Sequence, residues 1–330
     1  MTRQIGKALL SALAPAPIRV SQTRPSFTKE VNWSNVAFLT LSPIAAIVGV
    51  TLYVLDRGLH PGDLVCFASM LWLSGLAITA GYHRYYSHRS YKCRPALQVF
   101  YLLFGAAALE NSVLIWASNH RYHHRFVDQE EDPHDITRGR FWAYMGWAFY
   151  RERPTPSLEN VADLTSDRMA AWQHRYYLPL GIVVGFVLPL MLELSIGRPL
   201  GGLLWGGLFR AVVLHHITFF FNMAGHSIGR RPYSNEDSSR DSTWLSLLGF
   251  GEGYHNFHHA FPGDYRSGSA WYHWDPTKWW IWGLSLAGLT SRLNRTSERS
   301  ILKARRQTAS SQLFVERQPD ERTDQCQWTR

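Results

Sequence analysis

The stretch Gly253-Tyr-His-Asn-Phe-His-His-Ala260 holds three histidines within five residues, His255, His258 and His259. The same His-x-x-His-His spacing, and a looser pair, occur earlier in the chain at His120, His123, His124 and at His83, His88. On a helix, residues at i, i+3 and i+4 lie within an arc of about 100°, so each triplet can direct its three rings at one point. Converging neutral imidazoles are ligands that transition metals prefer. The repeated spacing therefore predicts a metal site.

Composition and charge favour a membrane-embedded protein. Of the 330 residues, 46% are apolar and 14% are aromatic, and the apolar residues fall into blocks between polar, basic ends. Much of the formal charge of +9 lies in residues 1–29, which contain no acid, and in the tail after Arg292. This distribution favours an anionic lipid surface as the partner and argues against nucleic acid. The three cysteines are too few for a four-cysteine zinc or iron–sulfur site.

Four stretches have the length and composition needed to cross a bilayer. At 1.5 Å per residue, about 20 helical residues span the roughly 30 Å of hydrocarbon. The predicted transmembrane helices are residues 36–55, 64–82, 176–196 and 203–224. The apolar run 97–109 is too short, and we expect it to lie in the interface or under a neighbouring segment. Three polar groups within the fourth span are expected to face protein or lie near a helix end, because exposure to lipid is costly: Arg210, His215 and His216.

The basic residues beside the second span indicate its orientation. Four of them follow it at Arg84, Arg89, Lys92 and Arg94, which places that end of the bundle in the cytosol by the positive-inside rule. Both termini and the histidines then lie at the cytosolic face. The sequence thus predicts an all-α integral membrane protein with four transmembrane helices and a cytosolic helical cap, residues 119–175, that holds a dinuclear metal site.

The chain divides into three predicted parts. Residues 1–32 form a basic cytosolic arm, with a cleaved targeting segment as the alternative for residues 1–30. Residues 33–290 form the membrane domain. Residues 291–330 are polar and rich in arginine, and we expect them to be disordered, with binding to a surface as the alternative.

Nine histidines are expected to converge once the spans are in place: His83, His88, His120, His123, His124, His226, His255, His258 and His259. One four-coordinate zinc cannot use nine nitrogens, whereas two metals with four or five ligands each can, with positions left open for oxygen or water. Asn222, one helical turn before His226, is a candidate ligand through a water, with a hydrogen bond at the helix end as the alternative. Because five residues turn an α-helix by about 140° beyond one revolution, His83 and His88 are predicted to serve different metals.

Three residues near the histidines are expected to orient the imidazole rings: Asp132, His134 and Glu252. Iron is the favoured metal, because imidazole suits several transition metals and a dinuclear site with spare positions indicates redox chemistry. The Glu-x-x-His motif of di-iron helical bundles is not part of the pattern.

Six segments within residues 33–290 carry a family resemblance: Ile78-Thr-Ala-Gly-Tyr-His-Arg-Tyr-Tyr-Ser-His-Arg-Ser-Tyr-Lys92, Trp116-Ala-Ser-Asn-His-Arg-Tyr-His-His124, Asp132-Pro-His134, Gly146-Trp147, Asn222-Met-Ala-Gly-His226 and Gly251-Glu-Gly-Tyr-His-Asn-Phe-His-His-Ala-Phe-Pro262. In these segments the chain resembles the membrane-bound fatty acyl desaturases, in particular the Δ9 or stearoyl-CoA desaturase family. Three histidine boxes in this order, with Asn-x-x-x-His between the second and the third, are highly specific.

The resemblance implies that the nine histidines hold two iron ions and that Asn222 acts through a water. It implies O2-dependent removal of two hydrogens from a saturated acyl chain, which leaves a cis double bond, expected at Δ9. Such chemistry requires a metal-activated oxidant, because an apolar C–H bond offers no acid or base handle. The resemblance also assigns a bent substrate tunnel to Trp116, Trp147, Thr218, Phe219 and Gly75, and the small size of Gly75 would lengthen the tunnel at its closed end.

The residues expected to contact the acyl carrier match those of the family less closely. Ser118 and Asn119 stand where the animal acyl-CoA enzymes have an arginine and an aspartate, and Arg151-Glu152 replaces a basic pair that binds the carrier. Asn111 is retained. Acyl-CoA is the expected substrate, with Arg151 and Asn111 among its contacts, and an acyl carrier protein or a membrane lipid is the alternative carrier.

Electrons must come from outside, because the chain has no flavin, haem or cluster motif. The expected donor is of the cytochrome b5, ferredoxin or rubredoxin type with its reductase, and its predicted docking surface is Arg138, Arg140, Arg151 and Arg153. The membrane is expected to be the bacterial inner membrane or the endoplasmic reticulum.

Two other classes of protein stay open on sequence. A hydroxylase, acetylenase or conjugase would use the same scaffold and metals. A metal transporter or storage protein would use the histidines as a reservoir, although transporters place polar ligands near the bilayer midplane, whereas these histidines follow the ends of the spans.

Overall fold

The computed structural model describes residues 28–153 and 158–316. Its helices are α1 Trp33–Arg57, α2 Pro61–Ser87, α3 Pro95–Ala107, α4 Val113–Phe126, α5 Arg140–Tyr144, α6 Ala162–Thr165, α7 Arg168–Arg175, α8 Tyr177–Leu194, α9 Pro199–Ala224, α10 Thr243–Leu248, α11 His255–Ala260, α12 Pro276–Leu286 and α13 Glu298–Glu316. The strands are β1 Thr28–Val31, β2 Lys92–Cys93, β3 Tyr150–Arg153 and β4 Thr290–Ser291. Most of the predicted basic arm, and the tail beyond residue 316, lie outside the described residues.

Four helices, α1, α2, α8 and α9, are long and apolar enough to cross a membrane, and they coincide with the four predicted spans. Their ends differ from the predicted ones by a few residues, because capping groups set them as much as hydropathy does. The side chain of Asn32 accepts from the backbone N–H of Asn35 at the start of α1, and the ring of His60 accepts from Gly62 at the start of α2. The predicted all-helical architecture with four spans is confirmed.

The outer faces of these helices are apolar. Along α1, Leu41, Ile44, Ile47 and Leu52 are each about 60% exposed. Large aliphatic side chains at this level of exposure are expected where hydrocarbon, rather than water, covers the surface.

Helix α3 is too short to span a membrane, as predicted, and it interlocks with α2 through two glycines. A Cβ on Gly81 would lie 2.6 Å from the Cβ of Tyr101, and one on Gly105 would lie 2.3 Å from the ring of Tyr82. Each tyrosine is fully buried against the glycine of the other helix. This close contact fixes the end of α2 that carries His83.

The polar groups within the fourth predicted span face protein, as predicted. The guanidinium of Arg210 is fully buried and donates to the carbonyls of Ala107 and Gly185 at 2.6 Å and 2.9 Å, while the His215 ring lies 2.8 Å from the carbonyl of Ala108. Carbonyls at the carboxyl end of a buried helix need such partners. Arg210 and His215 therefore anchor the end of α3 to α9.

The prediction of a disordered tail from residue 291 is wrong for the part that the structure describes. Strand β4 pairs antiparallel with β2, and α13 follows it over Glu298–Glu316. Ile301 of α13 is buried in a small cluster with Tyr233 and Phe257. The polar composition of the tail concealed this contact, because a single buried isoleucine docks a helix whose other faces are exposed.

Candidate metal centre

The nine predicted histidines converge in two groups. Cluster 1 consists of His83, His88, His120, His124 and His258, and cluster 2 of His123, His226, His255 and His259. In each cluster, one ring nitrogen from every member lies within 4.8 Å of the others. The ligand-bearing segments are the ends of α2 and α9, the helix α4 and the short helix α11.

Each His-x-x-His-His triplet divides between the two clusters, so the prediction that its three rings meet at one point is wrong. On α4, His120 and His124 enter cluster 1 and His123 enters cluster 2. On α11 the pattern is reversed, with His258 in cluster 1 and the other two in cluster 2. In an α-helix the i and i+4 side chains are about 40° apart, whereas i+3 lies about 100° from i+4. The outlying ring of each helix therefore reaches the neighbouring cluster.

His83 and His88 belong to the same cluster, and the prediction that they serve different metals is wrong. The segment Ala77–Ser87 of α2 is a π-helix, and the N–H of His88 donates to the carbonyl of His83 at 3.1 Å. In such an i→i+5 turn, residues five apart lie one turn apart on the same face. The two ring centroids are consequently 5.0 Å apart.

The imidazole nitrogens approach one another closely. In cluster 1 the Nε2 atoms of His88 and His120 are 2.7 Å apart, and that of His258 lies 2.9 Å from those of His83 and His124. In cluster 2 the Nε2 atom of His226 lies 3.1 Å from that of His123 and 3.0 Å from that of His255. Each cluster therefore presents several Nε2 atoms to a common centre.

The opposite ring nitrogens, the Nδ1 atoms, are held by neighbouring polar groups. His123 Nδ1 lies 2.8 Å from a carboxylate oxygen of Asp132, and His83 Nδ1 lies 3.1 Å from Glu252. His226 Nδ1 is 2.9 Å from the hydroxyl of Ser238. Because an ionised carboxylate only accepts, the imidazole protons of His123 and His83 lie on Nδ1 and their Nε2 lone pairs are free for a metal.

Two of the three predicted orienting residues make such contacts, and the third is adjacent. Although burial opposes it, contact with His123 lowers the pKa of Asp132, and Arg84 together with His83 lowers the pKa of Glu252. Both groups are therefore carboxylates at neutral pH. The ring of His134 stands 5.5 Å from that of His123, and its backbone N–H donates to Asp132.

Sequence reasoning did not find some groups that hold these carboxylates and rings. Arg84, which is fully buried, donates to Glu252 at 2.8 Å and also binds Asp275. Asp237 lies 3.5 Å from Nδ1 of His259. No regular spacing marks these residues, since Arg84 lies beside a ligand and Asp237 and Asp275 lie outside the helices.

Burial sets the protonation state of the cluster histidines. It lowers the pKa of His255 to about 3, and the neighbouring His123 ring contributes. Burial, together with adjacent rings, also lowers the pKa well below its usual range at six further ligands: His88, His120, His124, His226, His258 and His259. Neutral imidazoles are the form that binds metal.

The residues fit a pair of transition-metal ions with open coordination positions. Transition-metal ions bind imidazole nitrogens at about 2.0–2.1 Å. Nε2 atoms that lie 2.7 to 3.1 Å apart are therefore close enough to bind one ion together. Five and four histidines would leave further positions for other ligands. Asn222 is half-buried on α9 one turn before His226, and its role through a water remains a prediction.

Four residues of the predicted tunnel lie beside the clusters. Trp116 stacks on His120 with ring centroids 5.1 Å apart, and Trp147 packs against His134 at 4.3 Å and against Phe219 at 6.1 Å. Thr218 is on α9, one residue before Phe219. Trp116 thus contacts a ligand of cluster 1, Trp147 contacts His134, and Phe219 contacts Trp147.

Glu110 joins two of these residues and was missed in the sequence. Its carboxyl oxygens accept from Thr218 Oγ1 at 2.7 Å and from Trp116 Nε1 at 3.3 Å. Burial raises the pKa of Glu110 to about 7, against the opposing effect of these two hydrogen bonds. It lies in a tight turn in which the flanking Leu109 and Asn111 both have positive φ, 60° and 79°. A lone acid after an apolar helix carries no signal for such a role.

The other predicted substrate residues lie elsewhere. A Cβ on Gly75 would lie 2.1 Å from the ring of Phe250, so that ring fills the space that was expected to lengthen a tunnel. Asn111 is exposed, and its backbone N–H donates to the hydroxyl of Tyr177. Arg151 is in β3, paired with Glu30 of β1, and its side chain lies outside the described part of the chain.

The sequence is similar to those of a known protein family. The family model for fatty acid desaturases matches residues 61–299, which include all nine histidines. The chain belongs to the fatty acid desaturase family. A probable acyl-CoA desaturase of Schizosaccharomyces pombe is 38% identical over 85% of this chain, and acyl-CoA desaturase 1 of Saccharomyces cerevisiae is 36% identical over 88%.

The desaturase chain is shorter than these two relatives and spans 58% of the length of each. It covers 78% of the human stearoyl-CoA desaturase, with which it is 33% identical over 84% of its own length. These matches confirm the predicted family. The two histidine clusters are groups that could each hold a metal ion.

Proposed function

We propose that this desaturase is an O2-dependent di-iron enzyme that introduces a cis double bond, at Δ9, into a saturated fatty acyl chain carried by CoA. The observation that carries the proposal is the pair of histidine clusters, one of which lies against Trp116. The names of the relatives, acyl-CoA and stearoyl-CoA desaturases, support the same activity.

The protein's own residues supply binding, orientation and exclusion of water. Bound iron would activate O2 for abstraction of hydrogen from an unactivated C–H bond. Asp132 would orient the ring of His123, and Glu252 would orient the ring of His83. Arg84 forms a salt bridge with Glu252 and holds it in place. Trp116 and Thr218, joined by Glu110, would fix the direction of the acyl chain beside cluster 1, which determines which carbons react.

One residue that we expect to contact the acyl carrier lies at an exposed position near the start of α4. Asn111 is exposed there, whereas Ser118 is buried and bonded to Asn160, so Ser118 is not free to contact a carrier. Asn111 and Arg151 would contact CoA. An acyl carrier protein or a membrane lipid is the alternative carrier, and competition by free CoA distinguishes acyl-CoA from these two.

The same proposal includes a membrane orientation and a redox partner. The four spans would place the metal centre and both termini in the cytosol of a bacterial inner membrane or on the cytosolic face of the endoplasmic reticulum. Electrons would come from a one-electron donor of the cytochrome b5, ferredoxin or rubredoxin type.

The test is expression in a host that lacks unsaturated fatty acids, followed by fatty-acid profiling. We expect a monounsaturated product from the wild type and none from His258→Ala. A hydroxylated or acetylenic product would assign a related reaction on the same scaffold. Bound metal without any new lipid product would favour a metal-binding membrane protein, and product from the alanine variant would overturn the site.

A further inference from the structure

A basic surface depression lies on the loop that connects α9 with α10. It has a volume of about 420 Å³ and is lined by Arg230, Arg231, Pro232, Arg240 and Gln312. We propose that this surface, the arginine surface, is where an acidic electron-donor protein docks. The inference rests on the proposed function, because only an enzyme of this kind needs such a partner.

The arginines of this surface lack direct carboxylate partners. Among the described residues, no carboxylate forms a salt bridge with Arg230, Arg231 or Arg240. Arg231 and Arg240 donate only to the backbone carbonyls of Asp237 and Gly229, and the buried Nε of Arg240 has no hydrogen-bond partner in the described chain. The carboxylate of Asp237 is already taken by Ser239 and His259. An acidic partner would supply the missing counter-charge.

A further cation extends the surface. Arg305 of α13 lies over the ring of Tyr233, 5.5 Å from its centroid, and α13 also contributes Gln312, which donates to the carbonyl of Arg231. The helix that was expected to be disordered therefore builds one wall of the depression.

The arginine surface is connected to cluster 2 by the backbone of Arg240. The N–H of Arg240 donates to the carbonyl of Gly225 at 2.7 Å, next to His226, and the carbonyl of Arg240 accepts from the N–H of His255 at 3.3 Å. The backbone of Arg240 is therefore hydrogen-bonded to one ligand of cluster 2, His255, and to Gly225, the residue before a second ligand, His226. By contrast, Arg138 of the predicted docking surface lies over the Trp142 ring at 3.6 Å.

The electron count requires repeated encounters at such a surface. Desaturation removes two hydrogen atoms from the acyl chain, and reduction of O2 to two waters consumes those, two protons and two electrons from the donor. Since each donor molecule delivers one electron, it must bind, be oxidised and leave twice per double bond. Charge-steered, salt-sensitive binding suits such short-lived contacts.

The experiment compares Arg230→Glu and Arg231→Glu with Arg168→Glu, an exposed arginine of α7 that serves as the control. The purified full chain is titrated with the soluble haem domain of a cytochrome b5 and, separately, with a plant-type ferredoxin, at low and high salt. We expect each charge reversal on the arginine surface to weaken binding of the preferred donor about tenfold at low salt and to flatten the salt dependence. The control should bind as the wild type does.

Turnover separates docking from catalysis. With donor and reductase, we expect both surface variants to have a raised KM for donor, whereas dithionite-driven desaturation should equal that of the wild type. Unchanged donor affinity in both variants, or equal loss in the control, would overturn the docking site. So would loss of binding to phosphatidylserine vesicles with donor binding intact, which would assign the arginines to lipid. If the wild type itself makes no product with dithionite, the proposed function fails instead.

Discussion

The Nε2 atoms of His83 and His258 lie 2.9 Å apart, although 175 residues separate them in the chain. His83 is at the end of a membrane-spanning helix, and His258 is on the six-residue helix α11. The contact between them closes cluster 1 and ties α11 to the end of α2. Metal binding and the docking of α11 are therefore expected to depend on each other.

Replacing His258 should reduce metal binding in cluster 1 more than in cluster 2. We expect His258→Ala to lower the bound metal from two ions per chain towards one, because His258 joins His83 and His124 within cluster 1 and takes no part in cluster 2. The measurement is metal content of the purified protein by mass spectrometry. His60→Asn, which preserves a helix cap at the other end of α2, should keep two ions. Loss of both ions in His258→Ala would show that the clusters do not fill independently.

The contact between Glu252 and His83 should control metal affinity. We expect Glu252→Gln to weaken binding of the metal in cluster 1 by about 10- to 100-fold, because the neutral amide no longer stabilises the Nδ1 proton of His83 and leaves Arg84 one counter-charge short. Competition with a chelator measures this. Glu159→Gln, at an exposed position, is the control. Equal affinities for both variants would remove Glu252 from the centre.

Glu110 should make stability depend on pH in a particular direction. Its pKa is raised from 4.5 to about 7, so its neutral form favours the folded state and its contribution is lost as pH rises through 7. We expect Glu110→Gln to change the melting temperature little at pH 5 and to raise it relative to the wild type at pH 8. Thermal unfolding in detergent at both pH values tests this. A parallel shift at the two values would contradict the assignment.

The contact between Gly75 and Phe250 predicts a double-mutant rescue. We expect Gly75→Ala to destabilise the fold by about 1–3 kcal/mol, because the new methyl group overlaps the Phe250 ring. In Gly75→Ala/Phe250→Ala the ring is gone, and Gly75→Ala should then cost much less, relative to Phe250→Ala alone, than it does in the wild type. Chemical unfolding of the single and double variants measures the coupling. Additive effects would mean that the two positions do not share one space.

Much of the fold and the ligand set was predictable from the sequence, because both follow from periodic signals. Spans of about 20 apolar residues and repeated histidine spacings are local patterns, and local patterns are visible in one dimension. The division of His120, His123 and His124 between the clusters was not visible, since it depends on a second helix standing on the other side. Glu110, Asp237 and Ile301 were also hidden, because each acts through one long-range contact without a repeated motif.

The wide turns between Ala77 and Ser87 have a consequence for comparing sequences. Four residues separate His83 from His88, and the π-helix brings the two rings to one face. A chain with only three intervening residues would reach the same pair of ring positions with an ordinary α-helix. In a sequence alignment, a one-residue gap at this point therefore indicates a change of helix type and not the loss of a ligand. The backbone can accommodate an insertion here while both histidines stay in the cluster.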